Sequence, residues 1–293
     1  MIYWRILFFL ATAMAALAPL IAAANELKWN GPADRNDCPL GDNAVWVEFG
    51  AGEGCIRYFV GGEVRDATTV LVFLRGDRDD WAKLNPDDIP LNSVEGQESL
   101  ARKMAEKTGL PTILLERPGT FGSSGNVWNR RLPGEYLAVD AALDQLRQRY
   151  RIARFVLLGH SGGATLAAGL MTLGRKDISC AVLTSGAFAL TERARLMSLR
   201  NGWQMPSNDY LSSLYDPLDH VDGIVPDPDR EIIVIGNTRD SNTPFAFQER
   251  FVQAVRARGH RIRLIDYPAA EPRYHNLKDQ IGIKIAAECG ARS

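Results

Sequence analysis

Phe155-Val156-Leu157-Leu158-Gly159-His160-Ser161-Gly162-Gly163-Ala164-Thr165-Leu166 is the stretch on which the fold turns. Four consecutive apolar residues, Phe155–Leu158, read as a strand buried on both faces. Gly162–Leu173 reads as a helix of small and apolar residues. Between them lies Gly-x-Ser-x-Gly, set in a strand-to-helix turn. A turn this sharp forces its serine into strained backbone, so the neighbours two residues away on either side must lack bulky side chains. The hydroxyl then projects above the sheet at a helix N-terminus, where backbone N–H groups favour an oxyanion.

The chain on both sides of this turn keeps the same rhythm. Ala44–Phe49 and Cys55–Val60 flank the glycine-rich turn Gly50–Gly54, a hairpin pattern. Thr69–Leu74 is a continuous apolar run, a helix is expected over Glu98–Lys107, and Thr112–Leu115 is the next short strand. Tyr136, Val139, Leu143 and Leu146 give one apolar helix face between Pro133 and Arg149. Strands at Ala181–Thr184, Glu231–Ile235 and Arg261–Ile265 follow, with helices near Pro244–Arg258 and Lys278–Ala287. Such alternation implies a mainly parallel sheet with helices on both faces and an antiparallel hairpin at one edge. Residues 190–230 break the pattern, with no strand but with Trp203, Met205, Tyr210, Leu211, Leu214 and Tyr215 supplying apolar bulk. A segment longer than ordinary loops is expected here to be a cap over a pocket.

A serine hydroxyl is a weak nucleophile and needs a base held by a third group. Of the four histidines, His160 lies inside the turn, His220 in the 190–230 segment, and His260 before a strand. His275 follows the strand Arg261–Ile265, at the end where open α/β sheets build their sites. The acid is expected in the loop after Glu231–Ile235, where Asp240 satisfies the chain order Ser…Asp…His. Helix capping is the competing role for Asp240, and Asp266 is the fallback acid.

The chain has 293 residues, 46% hydrophobic and 24% charged, with a net charge of −1 and no block of like charge. This composition suits a globular α/β chain and gives no sign of a nucleic-acid surface, which needs clustered cations. Arg5 precedes the uncharged run Ile6–Ala24, which ends in Ala22-Ala23-Ala24, so residues 1–24 are expected to be a cleaved signal peptide. The mature region 25–293 is then exported, periplasmic or secreted, with no stable membrane association after cleavage. In an oxidising compartment the four cysteines favour disulfides, and three pairings are open. Gly119–Gly125 lacks the ending of a phosphate-binding loop, and Asp216, Asp219 and Asp222 suit capping better than a cation. No metal is expected.

From Ala44 to Ala287 the chain resembles the α/β-hydrolase superfamily, on the turn Gly159–Gly163, the strand end Leu74-Arg75-Gly76-Asp77, the loop Arg117–Gly122, and the acid and histidine loops. The resemblance implies a serine hydrolase without cofactor. Gly162 would donate one oxyanion N–H and Asp77 or Gly76 the other. Arg75 stands where many relatives have histidine. An ester, or less readily an amide, is the expected substrate, small molecule or short peptide. An aminopeptidase or prolyl-oligopeptidase-like enzyme and a non-catalytic exported binding protein are the alternatives. Asp216, Asp219, Asp222 or Glu116 would hold a peptide ammonium, whereas Arg117, Arg130 and Arg131 would suit an anionic group, with Arg117 the first candidate for substrate binding. If the last helix runs down from the His275 loop, Cys289 ends beside Cys180, which leaves Cys38 to pair with Cys55.

Overall fold

The computed structural model describes residues 26–50 and 52–292. The expected signal peptide lies outside them. The elements in chain order are β1 (Ala44–Phe49), β2 (Gly52–Gly61), β3 (Thr69–Leu74), α1 (Val94–Thr108), β4 (Thr112–Leu115), α2 (Pro133–Tyr150), β5 (Arg154–His160) and α3 (Gly162–Thr172). Then follow β6 (Ile178–Thr184), α4 (Leu190–Asn201), α5 (Asn208–Ser213), β7 (Glu231–Gly236), α6 (Phe245–Ala257), β8 (Ile262–Asp266) and α7 (Ile281–Gly290).

The eight strands form one sheet in the order β1-β2-β4-β3-β5-β6-β7-β8. β1 pairs antiparallel with β2, and β2 with β4, while the remaining neighbours are parallel. The alternation of side chains along each strand divides the interior in two. Phe155 and Leu157 of β5 face a core with Tyr136, Val139 and Leu146 of α2, Leu166 and Leu170 of α3, and Phe251 of α6. Val156 and Leu158 face the other side, with Met104 of α1 and Ile285 and Ala286 of α7. Both faces are covered, which is why β3, β4 and β6 are apolar almost throughout.

The cysteines pair as Cys38–Cys55 and Cys180–Cys289. The first bridge ties the segment before β1 to β2, and the second ties β6 to the end of α7. Residues 190–223 contain α4, α5 and a 3-10 turn at Pro217–Gly223.

Candidate active site

Sheet register assembles the site. Leu74 of β3 pairs with Gly159 of β5, so the two chains running on from their strands set Gly76 beside Ser161 and Asp77 beside Gly162. A Cβ on Gly76 would lie 3.0 Å from the Ser161 Cβ and 3.0 Å from the His160 carbonyl oxygen. Thr184 of β6 pairs with Ile235 of β7, and Gly236 of β7 with Asp266 of β8. The loops carrying Asp240 and His275 therefore leave the same carboxyl edge of the sheet.

Ser161 adopts φ 52°, ψ −117°, outside the regions that residues with a Cβ ordinarily occupy. The glycines around it are dictated by space. A Cβ on Gly159 would lie 2.5 Å from the Gly163 carbonyl oxygen, and one on Gly163 would lie 2.5 Å from the Leu74 carbonyl carbon. Ser161 is 9% exposed. Its hydroxyl and the N–H groups of Gly162 and Asp77 have no hydrogen-bond partner among the described residues.

His275 Nδ1 and Asp240 Oδ2 are 2.8 Å apart. Thr243 Oγ1 donates to the same carboxylate oxygen at 2.8 Å. The other oxygen, Asp240 Oδ1, accepts from the Asn242 and Thr243 N–H groups at 2.8 and 2.9 Å. Asp240 does not cap α6, whose N-cap is Pro244; one carboxylate oxygen closes the turn of its own loop and the other meets the imidazole. Ser185 Oγ donates to the His275 carbonyl oxygen at 2.8 Å and steadies its backbone. Neither Thr243 nor Ser185 stood out in the sequence. The Asp240-x-x-Thr243 spacing was the available sign for the first, since such a spacing lets a hydroxyl close on an upstream carboxylate.

Ser161 and His275 are not hydrogen-bonded to each other in this structure. His160, the residue before Ser161, has its ring centroid 5.2 Å from that of His275 and its Nδ1 3.1 Å from Thr184 Oγ1. Bonds between nucleophile and base often tighten only once substrate is bound. Burial first, and then the neighbouring His275 and Arg78, together lower the His160 pKa to about 4.

Behind the Gly76–Asp77 loop lies a chain of buried charges. Arg117 Nε donates to Glu135 Oε1 and Arg117 Nη1 to Asp77 Oδ1, both at 2.6 Å. Arg131 Nη2 donates to Asp77 Oδ2 at 2.6 Å, and the Arg131 backbone N–H donates to Glu135 Oε2 at 2.6 Å. Burial alone would raise the Asp77 carboxyl, but Arg131, Arg117 and Arg130 hold it well below the usual carboxylate range. Arg117 is buried and faces two carboxylates, so its donors are occupied. Arg75 pairs with Glu116 at 2.5 Å and stacks on Phe121 at 4.1 Å. Asp216 is buried and accepts from the N–H groups of Leu190 and Leu218, Asp222 pairs with Arg258, and Asp219 is exposed.

The site thus joins a strained serine, an imidazole gripped by a buried carboxylate, and two unengaged amides. These are the parts that acyl transfer through a nucleophile requires.

No protein-family model and no characterised protein sequence matches the chain. Solved structures do. An esterase from Pyrococcus furiosus superposes with a TM-score of 0.51 at 16% identity, covering 83% of this chain and 90% of its own. Est1E from Butyrivibrio proteoclasticus, solved with ferulic acid bound, superposes with a TM-score of 0.57 at 12% identity, covering 85% and 97%. An acylaminoacyl peptidase from Pyrococcus horikoshii gives 0.53 at 14% identity, covering 91% of this chain and 40% of its own. The chain has the α/β-hydrolase fold.

Proposed function

We propose that the chain is an exported serine hydrolase that cleaves carboxylic esters through an acyl-enzyme on Ser161. His275 takes the serine proton and returns one to the leaving group, while Asp240 fixes the imidazole tautomer and stabilises the imidazolium. The Gly162 and Asp77 N–H groups receive the oxyanion. Arg117 acts indirectly, by holding Asp77. The observation that carries this reading is Ser161 at φ 52°, ψ −117°, on the sheet edge that also bears the Asp240–His275 pair at 2.8 Å. Strain of this kind persists only where the surrounding structure enforces it.

Export is supported by the uncharged run Ile6–Ala24 and by the two disulfides. Among the described residues no helix is long and apolar enough to cross a membrane. Amide cleavage is the second reading, favoured by the likeness to an acylaminoacyl peptidase. Against an aminopeptidase, three of the carboxylates that would hold a substrate ammonium already have partners: Glu116 with Arg75, Asp222 with Arg258, and Asp216 with backbone N–H groups.

A fluorophosphonate probe tests the reading. It is expected to label Ser161 in the native chain and to leave Ser161→Ala unlabelled, with ester turnover falling on the order of 10⁴-fold. Near-normal turnover by Ser161→Ala would remove the proposal. Higher kcat/KM on alanyl- or prolyl-p-nitroanilide than on p-nitrophenyl acetate and butyrate would favour the peptidase.

A further inference from the structure

Most guanidinium groups around Ser161 have a carboxylate. Arg75 has Glu116, Arg117 and Arg131 share Asp77, and Arg130 has Asp79. Others do not. Among them, Arg193 of α4 and Arg78, the residue after Asp77, form no ion pair among the described residues; Arg193 is half-buried, while Arg78 is exposed. Taking a cation out of water without a counter-charge is costly, and folded chains seldom keep such groups without an anion to receive.

Each is tied to a loop that adjoins the serine or its supporting acid. Arg193 Nε donates to the Asn242 carbonyl oxygen at 2.9 Å and Arg193 Nη2 to Asn242 Oδ1 at 2.6 Å. Asn242 in turn donates its N–H to Asp240, so Arg193 is moored to the acid loop and its remaining amino group, Nη1, has no partner. Arg131 and Arg130 repel the Arg193 charge, and Asp77 and Asp240 attract it, so it lies in the field of both loops that flank Ser161. Its pKa falls to about 10, first through burial and then through Arg131, and it stays cationic at neutral pH. Arg78 lies on the loop that follows β3. Its loop packs on Ser161 through Gly76, its charge acts on His160, and its guanidinium lies 4.9 Å from the Trp81 ring centroid. That ring is its single side-chain partner among the described residues.

We propose that Arg193 and Arg78 form a carboxylate-recognition site beside Ser161, so that the preferred substrates are esters carrying an anionic carboxylate. The inference rests on Ser161 being the nucleophile. A guanidinium presents a planar fork that matches a carboxylate with paired charge-assisted hydrogen bonds. Mooring through Asn242 holds one fork in advance, which reduces the ordering cost of binding.

The test compares esters with and without a free carboxylate. One arm places the carboxylate in the alcohol half, para-acetoxybenzoate against its methyl ester. The other places it in the acyl half, mono-p-nitrophenyl adipate against p-nitrophenyl hexanoate. The native chain is expected to prefer the anionic member in at least one arm. That preference, as a ratio of kcat/KM values, should fall about tenfold or more in Arg193→Gln and in Arg78→Gln, chiefly through KM, and recover in part in Arg193→Lys. Intrinsic differences between the esters cancel in the ratio. Arg78→Gln removes no hydrogen bond or ion pair seen among the described residues, so it reports even where Arg193→Gln fails to fold. A ratio unchanged by either variant in both arms, or no anionic preference in the native chain, overturns the proposal. Fluorophosphonate labelling of Ser161 carries no carboxylate, so its failure would instead remove the underlying serine-hydrolase reading.

Discussion

Asp77 Oδ1 stands 2.5 Å from the point where a side chain on Gly162 would begin. The residue after Ser161 and the acidic residue of the facing loop are in direct contact, and the absence of a Cβ at Gly162 makes room for both Asp77 and Arg131. Bringing the two loops this close sets the Gly162 and Asp77 amides on one side of the serine.

Gly162→Ala is therefore expected to push the loops apart. Loss of one oxyanion donor typically costs 10²- to 10³-fold in rate, so kcat/KM on p-nitrophenyl butyrate should fall about 100-fold. Overpacking should cost about 1–3 kcal/mol of stability, measured by urea unfolding. Gly134→Ala is the control, because a Cβ there would meet nothing nearer than Phe49 at 3.8 Å, and both quantities should stay near native values. Equal effects from the two substitutions would show that Asp77 and Gly162 need no close approach.

Arg117 separates a positioning role from substrate binding. Its side chain is 8% exposed and bridges Glu135 and Asp77. Breaking a buried pair by deleting one partner leaves charges uncompensated, so Arg117→Gln should lose about 3 kcal/mol of stability. Activity should drop through kcat as the Asp77 loop loosens, while the ratio between anionic and neutral esters holds. A selective rise in KM for the anionic ester would return Arg117 to the substrate.

Which parts of this were legible depends on what each residue advertises. The runs Thr69–Leu74 and Thr112–Leu115 are strands to the residue, because burial on both faces leaves an unbroken apolar signature. Ser161, Asp240 and His275 could be picked out as candidates because each follows a strand, and parallel strands send their loops to one edge. Element ends were less so. α1 begins at Val94 rather than Glu98, since Ser93 caps it by accepting from the Gly96 N–H at 3.1 Å. β6 begins at Ile178 rather than Ala181, and Ser179 and Cys180 interrupt its apolar look. α7 begins at Ile281 rather than Lys278, because Asp279 and Gln280 take positive φ. The charges were the least legible. A sequence shows that Arg117 is cationic but not that Glu135, 18 residues on, turns back to meet it, and nothing local marks Arg193 as a neighbour of Asn242.

His160 gives the fold a dependence on acid whose sign follows from its surroundings. An unfolded imidazole titrates near pH 6.5, whereas burial, with His275 and Arg78 nearby, lowers the folded value to about 4. Between those values the unfolded chain holds the proton and the folded chain does not. The contribution is therefore whole above pH 6.5 and is lost as the pH falls towards 4, below which both states are protonated and no more is lost. The gap corresponds to about 3 kcal/mol. Asp216 acts the other way. Burial raises its carboxyl to about 6 despite the N–H groups of Leu218 and Leu190, so its contribution is present in acid and is lost as pH rises to about 6. The two overlap, and the native chain alone would report their difference. His160→Asn removes one and leaves the other. Urea unfolding at about pH 7 and about pH 4.5 should show the native chain losing 2 to 3 kcal/mol more on acidification than the variant, on the order set by that gap. Equal losses in the two chains would mean that folding leaves the His160 proton affinity unchanged.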